Sequence, residues 1–315
     1  MIASRLRLVR ACGLVVLMAL AGCVTAPPAP VSAPPPPPQE DQNPKPQSAE
    51  SKRVQAYYAQ VQDSLLSRGL MRTDGGEKDA PFTDTMLAEN FIRVALFDEY
   101  ARSALGPVQR PTPSLLRRWD EPVRLTLRFG ASVSKDRQAT DRAQIGSFLK
   151  RLQRISGHPI LMTDENPNFF IFVVDEDERR GMGHAISAIL PGLSSAELRG
   201  ITEMPLSTYC LVYAMSPSGQ SAYTRAVAVI RAEHPDLMEL SCIHEEVTQG
   251  LGLANDSPDA RPSIFNDDEE FALLTPQDEL MLKMLYDPRL RTGMTEAEAR
   301  PIVYSLATEL VGGSS

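Results

Sequence analysis

The side chains best able to do chemistry in this sequence lie between Ser241 and Tyr286. Residues four apart on a helix share a face, so Glu245 and Gln249 project together if this stretch is helical. Glu246 stands beside the first of them, and Asn255 follows after a break at Gly252. Two donors one helical turn apart, with a third beyond the helix end, can hold a metal ion. A carboxylate beside the first donor can then activate a metal-bound water. The donors here are one carboxylate and two neutral amides, which are weak oxygen ligands suited to hard ions rather than zinc. The stretch therefore offers a carboxylate and two amides in place of zinc ligands, and no metal and no cofactor is expected.

The four histidines do not repair the set. His244 is one residue off the donor register, and the residue four positions on is Thr248. His158 precedes Pro159, His234 precedes Pro235, and His184 has no spaced partner. Each reads as a surface or capping residue rather than a ligand. The run Asp267, Asp268, Glu269, Glu270 reads as a solvated loop, because the spacing and glycine of a calcium-binding helix–loop–helix are absent. A Gly-x-Ser-x-Gly elbow, a phosphate-binding loop, a dinucleotide fingerprint and a Cys-x-x-Cys pair are all missing from the sequence.

The same stretch resembles the active site of a metzincin metallopeptidase, His-Glu-x-x-His-x-x-Gly-x-x-His followed by a Met-turn. A register starting at His244 fails, because Leu251 falls where glycine is needed. Sliding by one residue places Glu245, Gln249 and Asn255 on the three ligand positions, Glu246 on the general base and Gly252 on the glycine. Ser263-Ile264-Phe265-Asn266 is similar to the Ser-Ile-Met turn, with Phe265 for Met. Leu274-Thr275-Pro276-Gln277-Asp278 then opens a helix ending near Leu285-Tyr286. The segment also resembles an uncharacterised family of bacterial lipoproteins known only as a domain of unknown function. The resemblance implies an α+β, zincin-like fold. It also implies that the strand before the last is an exposed edge able to pair with an extended peptide. Here that strand is 209–215; the alternative is an edge covered by the N-terminal helices.

The N-terminus supplies an address. Arg5, Arg7 and Arg10 precede the apolar run Leu14–Leu20, then Leu20-Ala21-Gly22-Cys23. A positive start, a short apolar run and small residues predict a signal peptide over 1–22 rather than a membrane span. The end resembles a bacterial lipobox, which implies cleavage before Cys23, acylation of its thiol and anchoring to a lipid bilayer. Val24 is not the Asp that favours inner-membrane retention, so the expectation is a periplasmic protein on the outer membrane. Residues 23–50 are Pro-rich and read as an extended spacer; a docking site for a partner is the other reading.

With Cys12 removed and Cys23 acylated, Cys210 and Cys242 remain, and an oxidising compartment favours pairing them. Two buried free thiols are the alternative, since spacing alone does not show that they meet. A formal charge of -8 argues against nucleic acid as a partner.

Elements must position these groups. Val54, Tyr57, Tyr58, Val61 and Leu65 recur at helical spacing over 51–69. A second helix is expected over 83–103, with Leu87, Phe91, Val94 and Ala95 on one face. These make an N-terminal helical region over 51–120. The main domain, 121–315, opens with the alternating strand Val123, Leu125, Leu127, Phe129. A helix over 140–156 is closed by Gly157, and a buried strand follows at 169–174. One or two short helices over 179–200, strands over 209–215 and 223–231, and the motif helix over 236–251 complete the order. Two functional classes fit this reading. One is a non-catalytic lipoprotein that binds a peptide, protein or envelope component; the other is an active metal-dependent hydrolase with a non-standard site.

Overall fold

The computed structural model describes residues 45–103 and 106–312. The signal peptide 1–22, Cys23 and the spacer up to residue 44 lie outside the described residues.

The chain begins with α1 (Ala49–Ser67), whose N-terminal amide at Ser51 is capped by the Ser48 side chain. Val54, Tyr58 and Leu65 are its buried face, packed with Met238 and Ala272. α2 (Asp84–Ala95) is capped by Thr83 and buries Leu87, Phe91 and Val94. It stops at Ala95, eight residues short of the expected end at Ser103, and the chain turns into β1 (Phe97–Ser103), paired antiparallel with β2 (Gly106–Pro113). A two-stranded ribbon has only edge strands, and edges tolerate prolines such as Pro107, Pro111 and Pro113. The helical stripe that ends at Ala95 was thus extended too far.

β3 (Arg118–Trp119) enters next, then β4 (Val123–Phe129), whose Val123, Leu125 and Leu127 are buried as the alternation predicts. α3 (Lys135–Ser156) starts at the Ser134 cap, five residues before the expected start, and ends at Gly157 with φ 68°. It presents Ile145, Phe148, Leu149 and Leu152 to the core. β5 (Ile160–Met162) and β6 (Phe169–Val174) follow. The region read as one or two helices is three short ones, α4 (Glu176–Gly181), α5 (Gly183–Ile189) and α6 (Ser195–Thr202). Asp175 and Ser194 each make a reciprocal capping box, which lets such short helices start sharply.

β7 (Cys210–Met215), β8 (Ala222–Tyr223) and β9 (Arg225–Arg231) lead to α7 (Asp236–Gln249), α8 (Pro276–Leu285) and α9 (Glu296–Gly312). The five-stranded sheet has the order β5-β4-β6-β9-β7. Its first four strands are parallel; β7 alone runs antiparallel, in register Cys210 with Ile230 through Met215 with Arg225. β7 is an edge strand of that sheet. β9 is buried from Ala226 to Arg231, as expected for a strand flanked on both sides. α2 packs on α8 and α9, and α3 packs on α8. The class is α+β, and the described helices and strands of 45–312 fall in one compact unit. Among the described residues no helix is long and apolar enough to cross a membrane.

Candidate functional site

Glu245, Glu246 and Gln249 hang on α7. Parallel pairing of β9 with β6 sends the chain off the sheet at Arg231, and Pro235 occupies the N-cap position. Asp236 and Glu239 sit in the first turn, where negative charge complements the helix dipole. Cys242, Ile243 and Val247 enter the main core while Met238 meets the α1 cluster, so apolar packing covers the helix on two sides. Glu239 is buried against Arg137, whose Nη2 lies 2.6 Å away; burial raises the Glu239 carboxyl to about 7 despite that partner.

His244 and His234 correct the surface reading. Both are buried, at 6% and 3% exposure. The His244 ring stacks on Phe148 at 3.9 Å, and its Nδ1 accepts the Leu274 amide at 3.1 Å, which puts the proton of the neutral ring on Nε2. Burial lowers both imidazoles to about 3. Neither histidine is near the donor geometry expected of a metal site on this helix.

The glycine position is a backbone requirement. Gly252 has φ 128°, and a Cβ there would lie 2.3 Å from the Arg117 carbonyl oxygen. Trp119, two residues on, donates Nε1–H to the Gly250 carbonyl at 2.8 Å. The segment around β3 thus presses on the end of α7 and fixes where the chain turns.

The three positions Glu245, Gln249 and Asn255 each have their own surroundings. Glu245 is half-buried and Glu246 buried, at 3% exposure, on α7. Gln249 donates Nε2–H to Asp256 Oδ1 at 2.8 Å. Asn255 donates Nδ2–H to the Arg93 carbonyl at 2.9 Å, and its backbone amide donates to the Val94 carbonyl at 3.0 Å. Asn255 thus caps the C-terminal carbonyls of α2, which have no partner within their own helix. At both positions the amide N–H donor is committed to internal structure, while Asn255 Oδ1 has no hydrogen-bond partner among the described residues.

The turn below is built as its residues imply. Ser263 Oγ donates to Asp278 Oδ1 at 2.6 Å, the Ile264 amide donates to Asp278 Oδ2 at 3.1 Å, and the Phe265 amide donates to Ser263 Oγ at 3.0 Å. Thr275 and Asp278 form the capping box of α8, so one carboxylate ties the turn to that helix. Phe265 is fully buried in the main core. Burial pushes the Asp278 carboxyl up to about 6 against these hydrogen bonds.

Cys210 and Cys242 form a disulfide with Cα atoms 5.9 Å apart, joining the edge strand β7 to α7. Closing a loop of 32 residues stabilises by about 3–4 kcal/mol in the chain-entropy model. Sequence reasoning missed what surrounds it. Cys210 Sγ and a carboxylate oxygen from each of Glu245 and Glu246 lie within 4.8 Å of one another. Part of that was legible, since Glu245 and Glu246 follow Cys242 by one helical turn. A cleft of about 370 Å³ lies elsewhere, lined by residues such as Glu50, Glu176, Arg180 and Leu206, and none of the α7 candidates borders it.

No curated protein and no solved structure matches the sequence. A family model described as a protein of unknown function, DUF2927, matches residues 84–305. That span runs from the first residue of α2 into α9, and so takes in the sheet, the disulfide, α7, the turn at 263–266 and the Asn255 contact with α2. The whole candidate site therefore lies within the matched span, and the chain belongs to the DUF2927 family.

Proposed function

We propose that this is a periplasmic lipoprotein, held to a membrane through acylated Cys23, whose zincin-like domain has kept a peptidase scaffold and lost its metal chemistry. In this reading the domain binds an extended peptide, a protein segment or another envelope component along β7. The observation that carries it is the fate of Gln249 and Asn255: at two of the three ligand positions the side chain is engaged by Asp256 and by the end of α2. Several features support descent from a zincin frame. The strand before the last is an antiparallel edge, and a helix bearing Glu246 follows the last strand directly. A glycine with positive φ ends that helix region, and a buried turn at 263–266 lies beyond it.

An edge strand offers a row of backbone donors and acceptors to a second extended chain. Binding without cleavage needs only that edge and a rigid neighbour, and the disulfide supplies the rigidity. The test selects ligands from a phage-displayed decapeptide library, then maps amide hydrogen exchange with and without the selected peptide. Protection concentrated on Cys210–Met215 is expected, together with intact peptide after long incubation. Cleavage that disappears in Glu246→Gln, or protection confined to other strands, overturns the reading.

A further inference from the structure

The cluster around the disulfide has a chemistry of its own. Cys242 sits on α7, and Glu245 and Glu246 follow on the next turn of the same helix. Cys210 reaches them from β7, and its Sγ and the two carboxylates stand within 4.8 Å of one another. On the far side of the disulfide, His234 Nδ1 lies 3.8 Å from Cys242 Sγ. Donor atoms placed tetrahedrally at about 2.0–2.3 Å from one zinc-like ion stand about 3.3–3.8 Å apart. These three donors, within 4.8 Å of one another, therefore reach a coordination shell by closing through roughly 1 Å.

The disulfide keeps the Cys210 sulfur from serving as a ligand. The Cys210 sulfur is bonded to Cys242, and a disulfide sulfur carries no charge; the thiolate is the metal ligand. Two-electron reduction removes that block. A dithiol or phosphine reductant is oxidised, the S–S bond breaks, and two protons are taken up to give two thiols. Each thiol that then binds a metal returns its proton to solvent.

We propose that Cys210, Glu245 and Glu246 form a redox-gated site for a divalent transition metal, closed by the Cys210–Cys242 disulfide and opened by its reduction, with Cys242 as an available fourth donor. A mixed thiolate and carboxylate set suits zinc or cobalt and disfavours magnesium and calcium, which take oxygen alone. The site differs from the one formed by Glu245, Gln249 and Asn255. It is shifted toward the edge strand and uses Cys210 in place of the two amides. It rests on the disulfide and its neighbours and needs no peptide on β7, so either idea can fail without the other.

The experiment titrates cobalt(II) into the full chain carrying Cys12→Ser and Cys23→Ser, so that only Cys210 and Cys242 remain. The phosphine-reduced protein, kept anaerobic, is expected to take up one equivalent, with a sulfur-to-cobalt charge-transfer band in the near ultraviolet. The oxidised protein shows no such band. Glu246→Gln weakens binding by about tenfold or more. Cys242→Ser frees Cys210 permanently and should bind cobalt with no reductant, which decides the matter even if reduction unfolds the wild type. Cys210→Ser loses the site in either redox state. Absence of the band in both the reduced protein and Cys242→Ser overturns the proposal. So does a band whose affinity is unchanged in both Glu245→Gln and Glu246→Gln, since that is thiol binding alone.

Discussion

Asn255 and Arg93 lie 162 residues apart in the chain and meet through one hydrogen bond, Asn255 Nδ2–H to the Arg93 carbonyl at 2.9 Å. Asn255 therefore closes the end of a helix. That end carries the negative pole of the α2 dipole, and Arg93 and Val94 are among its last carbonyls. A donor is wanted there and an acceptor is not.

The first prediction follows from that sign. Asn255→Ala removes one buried hydrogen bond and should cost about 1–2 kcal/mol in urea unfolding. Part of the loss is offset, because Asn255 Oδ1 is buried without a hydrogen-bond partner among the described residues. Asn255→Asp keeps the shape but sets a carboxylate against the Arg93 carbonyl oxygen at the wrong end of a dipole. It should cost more than the alanine change, about 2–4 kcal/mol. Equal midpoints for the two variants would remove the capping role.

Much of this architecture was legible because local pattern and tertiary position agree. The stripe Ile145, Phe148, Leu149, Leu152, Ile155 and the alternation Val123, Leu125, Leu127, Phe129 each name a core face, and all but the half-buried Ile155 and Phe129 are buried. The disulfide was reachable from the compartment and the cysteine count. What failed was of another kind. Nothing around Ala95 marks α2 as finished, because its end is set by Asn255 from far along the chain. His244 looked exposed because its partners, Phe148 and the Leu274 amide, lie in two other elements. The meeting of Cys210 with Glu245 and Glu246 depends on how β7 lies against α7, which no spacing records.

The second prediction concerns pH. His244 has its folded pKa lowered to about 3 by burial, against an ordinary value near 6.5. The unfolded chain binds the proton first, so the stability contributed by the neutral ring is present above pH 6.5 and is lost as pH falls toward 3. Across that window one histidine contributes a slope of about 1.4 kcal/mol per pH unit. His244→Gln has no titrating ring, so its stability should fall less steeply between pH 6.5 and 4 than that of the wild type. Chemical denaturation at a series of pH values measures both slopes; parallel curves would show that His244 is protonated or exposed in the folded protein.

The third prediction concerns the address. The mature chain should begin at Cys23 and fractionate with membranes, because Leu20-Ala21-Gly22-Cys23 follows an Arg-rich start and a short apolar run. Cys23→Ser should leave the precursor unprocessed or release the body into the soluble fraction. Mass spectrometry of the N-terminal peptide reads this directly, and an acylated, membrane-bound Cys23→Ser protein would exclude a lipid on that sulfur.

The fourth prediction tests the register itself. If Glu245, Gln249 and Asn255 stand where a metallopeptidase carries three histidines, then changing all three to His should create a zinc site on the existing frame. Glu245 and Gln249 are already one turn apart on α7, and Gly252 already turns the chain toward Asn255. The variant also gives up the Gln249 contact with Asp256 and the Asn255 cap on α2, so without metal it should be less stable than the wild type. Zinc binding only the folded state would restore stability, by about 2.7 kcal/mol at a free concentration one hundred times the dissociation constant. Thermal unfolding with and without zinc, on oxidised protein so that Cys210 and Cys242 stay bonded, separates the outcomes. A rise in melting temperature with zinc in the triple variant, and none in the wild type, supports the register. A triple variant that folds but takes up no zinc would show that these three positions do not converge, and the proposed metallopeptidase register would fall.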